Sequence, residues 1–350
     1  MKYRTYPKSS IAVSEVGLGL WTTSTGWWGE MTDAQAVTLM HEARDLGVTL
    51  FDAADTYGNG RSEEQLAQAF AHRRSEVVYA TKFGYDFYNH AGERKGQQEI
   101  EHDFSPAFVR FALEQSLKRL QTDVIDIYQI HNAHLDQVRS EELLGLLDGF
   151  VREGKIRAYG AALGPAIGWL VEGIEAARGG ITSVQMIYNM LEPFPGREMI
   201  AAANDADSAT GFMIRVPHSS GMLEGRYTLD TVFPAGDHRN HRPKSWLVNG
   251  VKKVETLRFL ERDGRTLGQA AMQWLLASPR VMTVLPNIYD RDQLAEFAAT
   301  SSAPPLTPEE LSRIAELQAT NFGVEEGPGR YKGTMSLDEL LPVAAGASRG

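Results

Sequence analysis

The sequence of 350 residues contains no cysteine, which excludes disulfide bonds, thiolate catalysis and metal sites with cysteine ligands. No apolar run approaches the roughly 20 residues of a membrane span, and the opening residues, MKYRTYPKSS, lack the apolar core of a signal peptide. Lys and Arg total 35 against 45 Asp and Glu, so the formal net charge is −10. This acidic balance argues against partners such as nucleic acid or anionic membranes. A soluble, cytoplasmic protein is expected.

Short apolar segments alternate along the chain with segments of helical periodicity. Their apolar character is typical of parallel strands that are covered on both faces. Eight strand-then-helix units predict an α/β fold, a (β/α)₈ TIM barrel, more than a doubly wound sheet. A doubly wound dinucleotide-binding sheet would need G-x-G-x-x-G after an early strand, and GLGLWTTSTG has the wrong glycine spacing. The strands are predicted at residues 16–20, 48–54, 76–84, 124–131, 156–163, 181–189, 211–217 and 281–286.

Three further features complete the predicted architecture. The first 19 residues resemble a β-hairpin with a Pro-Lys-Ser-Ser turn, which is expected to close the bottom of the barrel. Long loops follow the third strand (85–103) and the seventh strand (218–245), and loops of this length are usually functional or disordered. We predict a single barrel over residues 1–320 and a surface tail over 321–350.

Ionisable side chains follow three neighbouring strands, whose carboxyl ends meet at the face where barrel active sites form. The second strand ends in Asp52, Asp55 and Tyr57, the third in Lys82 and the fourth in His131. An ammonium group beside a phenol lowers the pKa of the phenol, and a carboxylate behind the ammonium keeps it charged. A phenol tuned in this way can exchange a proton with a carbonyl oxygen. Without a nucleophile or a metal, such chemistry suggests hydride transfer from a nicotinamide.

The segments LFDAADTYGNG, ATKFG and DIYQIHN resemble the three catalytic segments of the aldo-keto reductases, and the similarity extends from about residue 2 to 320. The resemblance implies that Tyr57 donates the proton, that Lys82 and Asp52 tune it, and that His131 positions the substrate. It implies an oxidoreductase with bound NADP(H) or NAD(H), no metal, and a small aldehyde, ketone or sugar as substrate. The alternative is a nucleotide-sensing, non-catalytic regulatory subunit, against which the retention of all four residues argues.

The nicotinamide end of the cofactor site matches the family pattern only in part. Gln185 is retained and is expected to hold the carboxamide, whereas Gly160-Ala161-Ala162-Leu163-Gly164 replaces the usual Gly-Val-Ser-Asn. Arg215 stands where an aromatic residue commonly stacks on the nicotinamide. A planar guanidinium can stack on an aromatic ring. If Arg215 points inward, its charge would disfavour the positively charged oxidised nicotinamide and so favour the reduced cofactor. A structural salt bridge is an equally good interpretation.

The adenosine end also departs from the pattern. Asn287 occupies a position that is often basic, and Asp290 close by would repel a 2′-phosphate and could accept a bond from a ribose hydroxyl. Gln293 and Glu296 match positions that contact the adenosine. The preference between NADH and NADPH therefore stays open.

The remaining predictions concern the substrate pocket and two alternatives. Trp21, Trp28 and Tyr85 are expected to form apolar walls, with Asn132 beside them. Asp55 is expected to cap a helix or form a salt bridge within its turn. Two histidine pairs of spacing three raise catalytic zinc as an alternative, which we disfavour because the first strand has no histidine. The substrate, the physiological direction and the oligomeric state stay open.

Overall fold

The computed structural model describes residues 1–90 and 100–336. The chain begins with an antiparallel hairpin of two strands, β1 (Tyr3–Thr5) and β2 (Ala12–Ser14). Tyr6 and Ile11 in the turn region are 1% exposed, and they pack with inward-facing side chains of the barrel such as Leu50, Ile127 and Met213. The predicted hairpin is present, and its apolar side chains close one end of the barrel.

Eight parallel strands form the barrel, each hydrogen-bonded to the next along the sequence. They are β3 (Leu18–Gly19), β4 (Leu50–Asp52), β5 (Val78–Phe83), β6 (Ile125–His131), β7 (Ile156–Ala162), β8 (Ser183–Ile187), β9 (Gly211–Arg215) and β10 (Val281–Leu285). The sheet closes beside β3, where the Val284 amide donates to the Glu15 carbonyl and the Gly17 amide donates to the Val284 carbonyl, each at 2.9 Å. The predicted (β/α)₈ barrel is confirmed.

Helices alternate with the strands and cover the barrel. They are α1 (Trp21–Ser24), α2 (Asp33–Asp45), α3 (Arg61–Phe70), α4 (Pro106–Leu120), α5 (Leu135–Arg139), α6 (Glu141–Arg152), α7 (Leu170–Arg178), α8 (Gly196–Asp205), α9 (Lys244–Thr256), α10 (Leu267–Leu276), α11 (Arg291–Ala298) and α12 (Pro308–Ala319). Within the described ranges, no helix is long and apolar enough to cross a membrane.

Local sequence explains where several helices begin. Helix α2 starts with a capping box, in which Thr32 and Gln35 each bond the other's backbone amide. The apolar stripe of α2 faces the sheet, because Ala36, Met40 and Ala43 are fully buried. Helix α12 was not predicted, although Thr307 and Glu310 form a capping box before it. Leu311, Ile314 and Leu317 have helical spacing, but only Ile314 is buried, so α12 contributes little to the core.

The two predicted long loops lie at the carboxyl ends of β5 and β9. Residues 91–99 of the first loop lie outside the described residues. The second loop includes two short 3₁₀ turns, Met222–Glu224 and His238–His241. The predicted tail can be followed to residue 336. Within it, the Lys332 carbonyl accepts a hydrogen bond from the Trp169 backbone amide at 2.7 Å. Its remainder, 337–350, lies outside the described residues, and the predicted domain division stays a prediction.

Candidate active site

Lys82 and Asp52 form a buried ion pair inside the barrel. Lys82 Nζ donates to Asp52 Oδ2 and to the Ala53 carbonyl, each at 2.7 Å. The two side chains come from neighbouring strands, β5 and β4, and Lys82 is only 1% exposed. Burial acts to lower the pKa of Lys82, but the Asp52 carboxylate and the Tyr57 phenol outweigh burial, so this pKa is raised. The lysine is therefore an ammonium ion at neutral pH.

Two further side chains hold the second oxygen of Asp52. Gln129 Nε2 donates to Asp52 Oδ1 at 3.0 Å, and Gln185 Nε2 donates to the same oxygen at 3.1 Å. The sequence analysis missed Gln129, although it lies two residues before His131 on β6 and side chains alternate along a strand. Gln185 is thus bonded to the carboxylate inside the barrel, and its predicted contact with a carboxamide stays a prediction.

Tyr57 lies above this ion pair and is only partly buried. Lys82 Nζ is 4.7 Å from the centroid of the Tyr57 ring, and the ring of His131 meets the tyrosine edge-on at 5.7 Å between centroids. The turn that carries Tyr57 is fixed by Ser62, whose hydroxyl donates to the Ala54 carbonyl at 2.8 Å. The structure therefore brings all four predicted catalytic side chains together, and it leaves the phenol nearest to solvent.

A second buried ion pair supports the same turn from behind. Arg119 of α4 donates to Glu63 at 2.6 Å and to the Tyr88 hydroxyl at 2.9 Å. Thr81 donates to the other oxygen of Glu63, which is fully buried. The sequence analysis missed this pair because its partners are 56 residues apart along the chain, and no local pattern connects them.

The structure places Asp55 in neither of its expected roles. Its carboxylate is fully buried, and it forms no ion pair in the part of the chain that the structure describes. It does not cap α3, because Gly60 occupies that position without a side-chain bond. Burial, and then the charge of Glu63, raise the pKa of Asp55 well above its usual range.

Tyr85 and Asn132 lie beside His131 at the mouth of the barrel. The rings of Tyr85 and His131 are 5.0 Å apart and nearly perpendicular, and Asn132 Nδ2 donates to the Tyr85 hydroxyl. These two predicted substrate residues therefore adjoin the predicted catalytic residues.

Trp21 and Trp28 belong to an aromatic cluster that joins three loops. Trp28 stacks on Tyr289 at 6.1 Å between ring centroids and lies 4.7 Å from His238. Trp21 contacts His238 at 5.8 Å, and the His238 amide donates to the Trp27 carbonyl at 3.2 Å. The loop after β9 is thereby attached to the loop after β3. The contribution of Trp21 and Trp28 to a substrate pocket stays a prediction.

At the predicted adenosine end, three of the four predicted residues have protein partners. Asp290 caps α11 by accepting from the Gln293 amide at 2.8 Å, and Gln293 Nε2 donates to Glu224 at 3.0 Å. Glu296 accepts from Arg226 at 2.8 Å. Asn287 is partly buried after β10. The sequence analysis missed Glu224, although it lies in one of the two long loops; burial raises the pKa of its carboxyl to about 7.

Comparison with known proteins shows the family of this chain. A sequence model described as the Aldo/keto reductase family matches residues 15–319. The chain belongs to the aldo/keto reductase family. It is 30% identical to the aldo-keto reductase yakc [NADP(+)] of Schizosaccharomyces pombe, over 79% of this chain and 80% of that protein. It is 28% identical to the NADH-specific methylglyoxal reductase of Escherichia coli, over 83% and 90% of the two chains.

Two further comparisons bear on how the fold is used within the aldo/keto reductase family. A solved structure of the glycerol dehydrogenase AKR11B4 from Gluconobacter oxydans superposes with a TM-score of 0.77 and 25% identity, covering 94% of this chain and 99% of that one. A probable voltage-gated potassium channel subunit beta from Oryza sativa is 26% identical over 90% of this chain and 95% of that protein. Oxidoreductases and a channel subunit are thus both among the relatives.

Proposed function

We propose that this aldo/keto reductase transfers a hydride between NAD(P)H and a small carbonyl compound or the corresponding alcohol, with Tyr57 as general acid and base. One observation carries the proposal: the Tyr57 ring lies against both the Lys82 ammonium and the His131 imidazole. Lys82 is in turn held charged by Asp52 at 2.7 Å. A phenol in these surroundings suits proton exchange with a carbonyl oxygen.

The proposed reaction needs one proton and one hydride for each carbonyl group. A bound nicotinamide supplies the hydride in reduction and accepts it in oxidation. Tyr57 gives its proton to the carbonyl oxygen as the alcohol forms, and the Lys82 ammonium stabilises the phenolate that remains. Asp52 keeps the lysine charged although it is buried, and His131 directs the substrate oxygen toward the Tyr57 hydroxyl. In the reverse direction, the phenolate takes the alcohol proton.

The mouth of the barrel offers groups that fit a nicotinamide ring. Arg215 Nε is buried and has no hydrogen bond partner among the described residues, and a planar guanidinium can stack on an aromatic ring. We assign Gln185 and Arg215 to the nicotinamide end, and Asn287, Asp290, Gln293 and Glu296 to the adenosine end. The carboxylates at the adenosine end support NADH as a coenzyme alongside NADPH.

The substrate class follows from the neighbourhood of His131 and from the names of relatives. We assign Tyr85, Asn132, Trp21 and Trp28 to the substrate pocket. One relative is named for methylglyoxal and one structural neighbour for glycerol, so we propose small oxygenated aldehydes, ketones and sugar-like alcohols as substrates.

The proposal is tested with Tyr57→Phe and Lys82→Met in a panel of these substrates, by following the absorbance of the reduced nicotinamide. Loss of general acid catalysis is expected to lower kcat about 10²- to 10⁴-fold, while the Kd for NADH changes little. Tyr3→Phe is the matched control, because its exposed hydroxyl bonds the Gly47 carbonyl at the surface. Unchanged turnover by Tyr57→Phe would refute the assignment.

The regulatory subunit remains the second candidate because a channel β subunit is among the relatives. We do not favour it, since Asp52, Lys82, Tyr57 and His131, to which we assign proton transfer, form a chain of contacts. Sustained turnover with any carbonyl in the panel would favour the enzyme. Tight coenzyme binding without oxidation of the coenzyme by any substrate would favour the regulatory subunit.

A further inference from the structure

The guanidinium of Arg215 lies across the carboxyl end of the barrel. Arg215 is the last residue of β9 and pairs with Ile187 of β8 and Leu285 of β10. Its Nη2 donates to the Leu163 carbonyl at 2.8 Å and also to the Gly164 carbonyl, both just beyond the end of β7. The side chain therefore crosses over β8, and two backbone acceptors fix it at the mouth.

The positive charge of Arg215 has no carboxylate partner. Among residues 1–90 and 100–336, no Asp or Glu lies within ion-pair distance of it, so the structural salt bridge is not formed. Tyr57, Asp52 and Tyr85 are its electrostatic neighbours. The Asp52 charge is already balanced by Lys82 at 2.7 Å. Because arginine does not lose its proton in proteins, one uncompensated positive charge remains near the phenol.

Hydride transfer determines where a nicotinamide must lie relative to this charge. The carbonyl oxygen must reach the Tyr57 hydroxyl, and the reacting carbon of the ring must lie about 3–3.5 Å from the carbonyl carbon. A bound ring would therefore lie near Tyr57, which is an electrostatic neighbour of Arg215. The oxidised ring is a cation and the reduced ring is neutral. Two unit charges about 6 Å apart, at an effective dielectric constant of about 20, would repel enough to weaken binding of the oxidised coenzyme about 100-fold relative to the reduced one.

We propose that Arg215 sets the redox preference of the site, so that the protein binds the reduced coenzyme more tightly than the oxidised one. This inference rests on the proposed function and adds to it a preference for one oxidation state of the coenzyme. Repulsion of the oxidised ring stabilises the bound reduced coenzyme relative to the oxidised one, so it shifts the equilibrium on the protein toward NAD(P)H and the carbonyl. It also speeds release of the oxidised coenzyme after a reduction. Arg215 is thus a specificity-determining residue for the oxidation state of the coenzyme.

The test compares dissociation constants for NADH and NAD⁺, and for NADPH and NADP⁺, by calorimetry at fixed pH and salt. The wild-type protein is expected to bind the reduced form at least 10-fold more tightly. Arg215→Gln removes the charge and keeps a polar amide at this position, and it should bring the two dissociation constants to within about 2-fold of each other. Arg215→Lys keeps the charge and should keep most of the preference.

Arg178→Gln is the matched control, because this exposed arginine is the last residue of α7 and lies at the amino end of the strands, opposite the mouth; its ratio of dissociation constants should equal that of the wild type. Equal wild-type affinities for the two oxidation states would overturn the inference even if no variant folds. An unchanged ratio in Arg215→Gln would also overturn it. If no nicotinamide dinucleotide binds, the proposed function fails as well, and that result is distinguishable from binding without preference.

Discussion

Replacing Asp52 by Asn removes the carboxylate that balances the buried Lys82. In the described part of the chain, Asp52 is the one acidic residue within ion-pair distance of this lysine. Its two oxygens accept from Lys82 at 2.7 Å, Gln129 at 3.0 Å and Gln185 at 3.1 Å. An asparagine amide would set an NH₂ group against at least one of these donors. The lysine would keep its bond to the Ala53 carbonyl but lose its counter-ion, and a buried donor would lack an acceptor.

The size of the effect follows from the burial of the pair. Removing one partner of a buried ion pair destabilises a protein by about 3–5 kcal/mol, so we expect this range for Asp52→Asn. Lys82→Met should fall at the lower end, because the two glutamine amides continue to bond the carboxylate. The double variant leaves no unpaired charge. Its free energy of unfolding should exceed the additive expectation by about 2 kcal/mol.

Urea unfolding of the wild type, the two single variants and the double variant measures these free energies of unfolding, provided that the four proteins have the same m-value. The kcat of Asp52→Asn should also fall at alkaline pH, because a lysine without its carboxylate loses its proton more easily. Additive free energies would refute the coupling that we infer. A loss below about 1 kcal/mol in Asp52→Asn would refute the view that this carboxylate compensates the burial of the lysine.

Three further predictions concern parts of the molecule outside that pair. Arg119→Met leaves the fully buried Glu63 without its cation, so unfolding should become easier by about 3–5 kcal/mol; a change below 1 kcal/mol in urea unfolding would contradict this. Gly168→Ala sets a Cβ 2.1 Å from the Lys332 carbonyl at a φ of +137°, and it should make the tail more sensitive to limited proteolysis; an unchanged cleavage rate would count against that contact. Burial raises the pKa of Glu224 from 4.5 to about 7, so its contribution to stability is present below pH 4.5 and is lost as pH rises through 7. Glu224→Gln should therefore be more stable than wild type at pH 8, by up to about 3 kcal/mol, and equal at pH 4.5; thermal unfolding that shows the same difference at both pH values would refute the assignment.

The barrel and the meeting of the four candidate side chains were predictable because their signals are local. Apolar strands and amphipathic helices repeat with short periods, and a chain of eight such units closes into a barrel. Asp52, Lys82 and His131 could be placed together because each ends a strand, and neighbouring strands of a parallel barrel end at the same face. Gln129 carried the same signal, since it shares a face with His131.

The sequence by itself determined the order of the elements and the face on which Tyr57, Lys82, Asp52 and His131 meet. Only the tertiary structure decided which polar groups compensate one another across the chain. Arg119 reaches Glu63 from another helix, and Arg215 crosses a strand to bond two carbonyls rather than a carboxylate. Which partner each arginine meets depends on the conformation that its long side chain adopts once the barrel has formed. Periodicity specifies the face from which a side chain leaves the backbone, whereas packing specifies which atom its charged end finally meets.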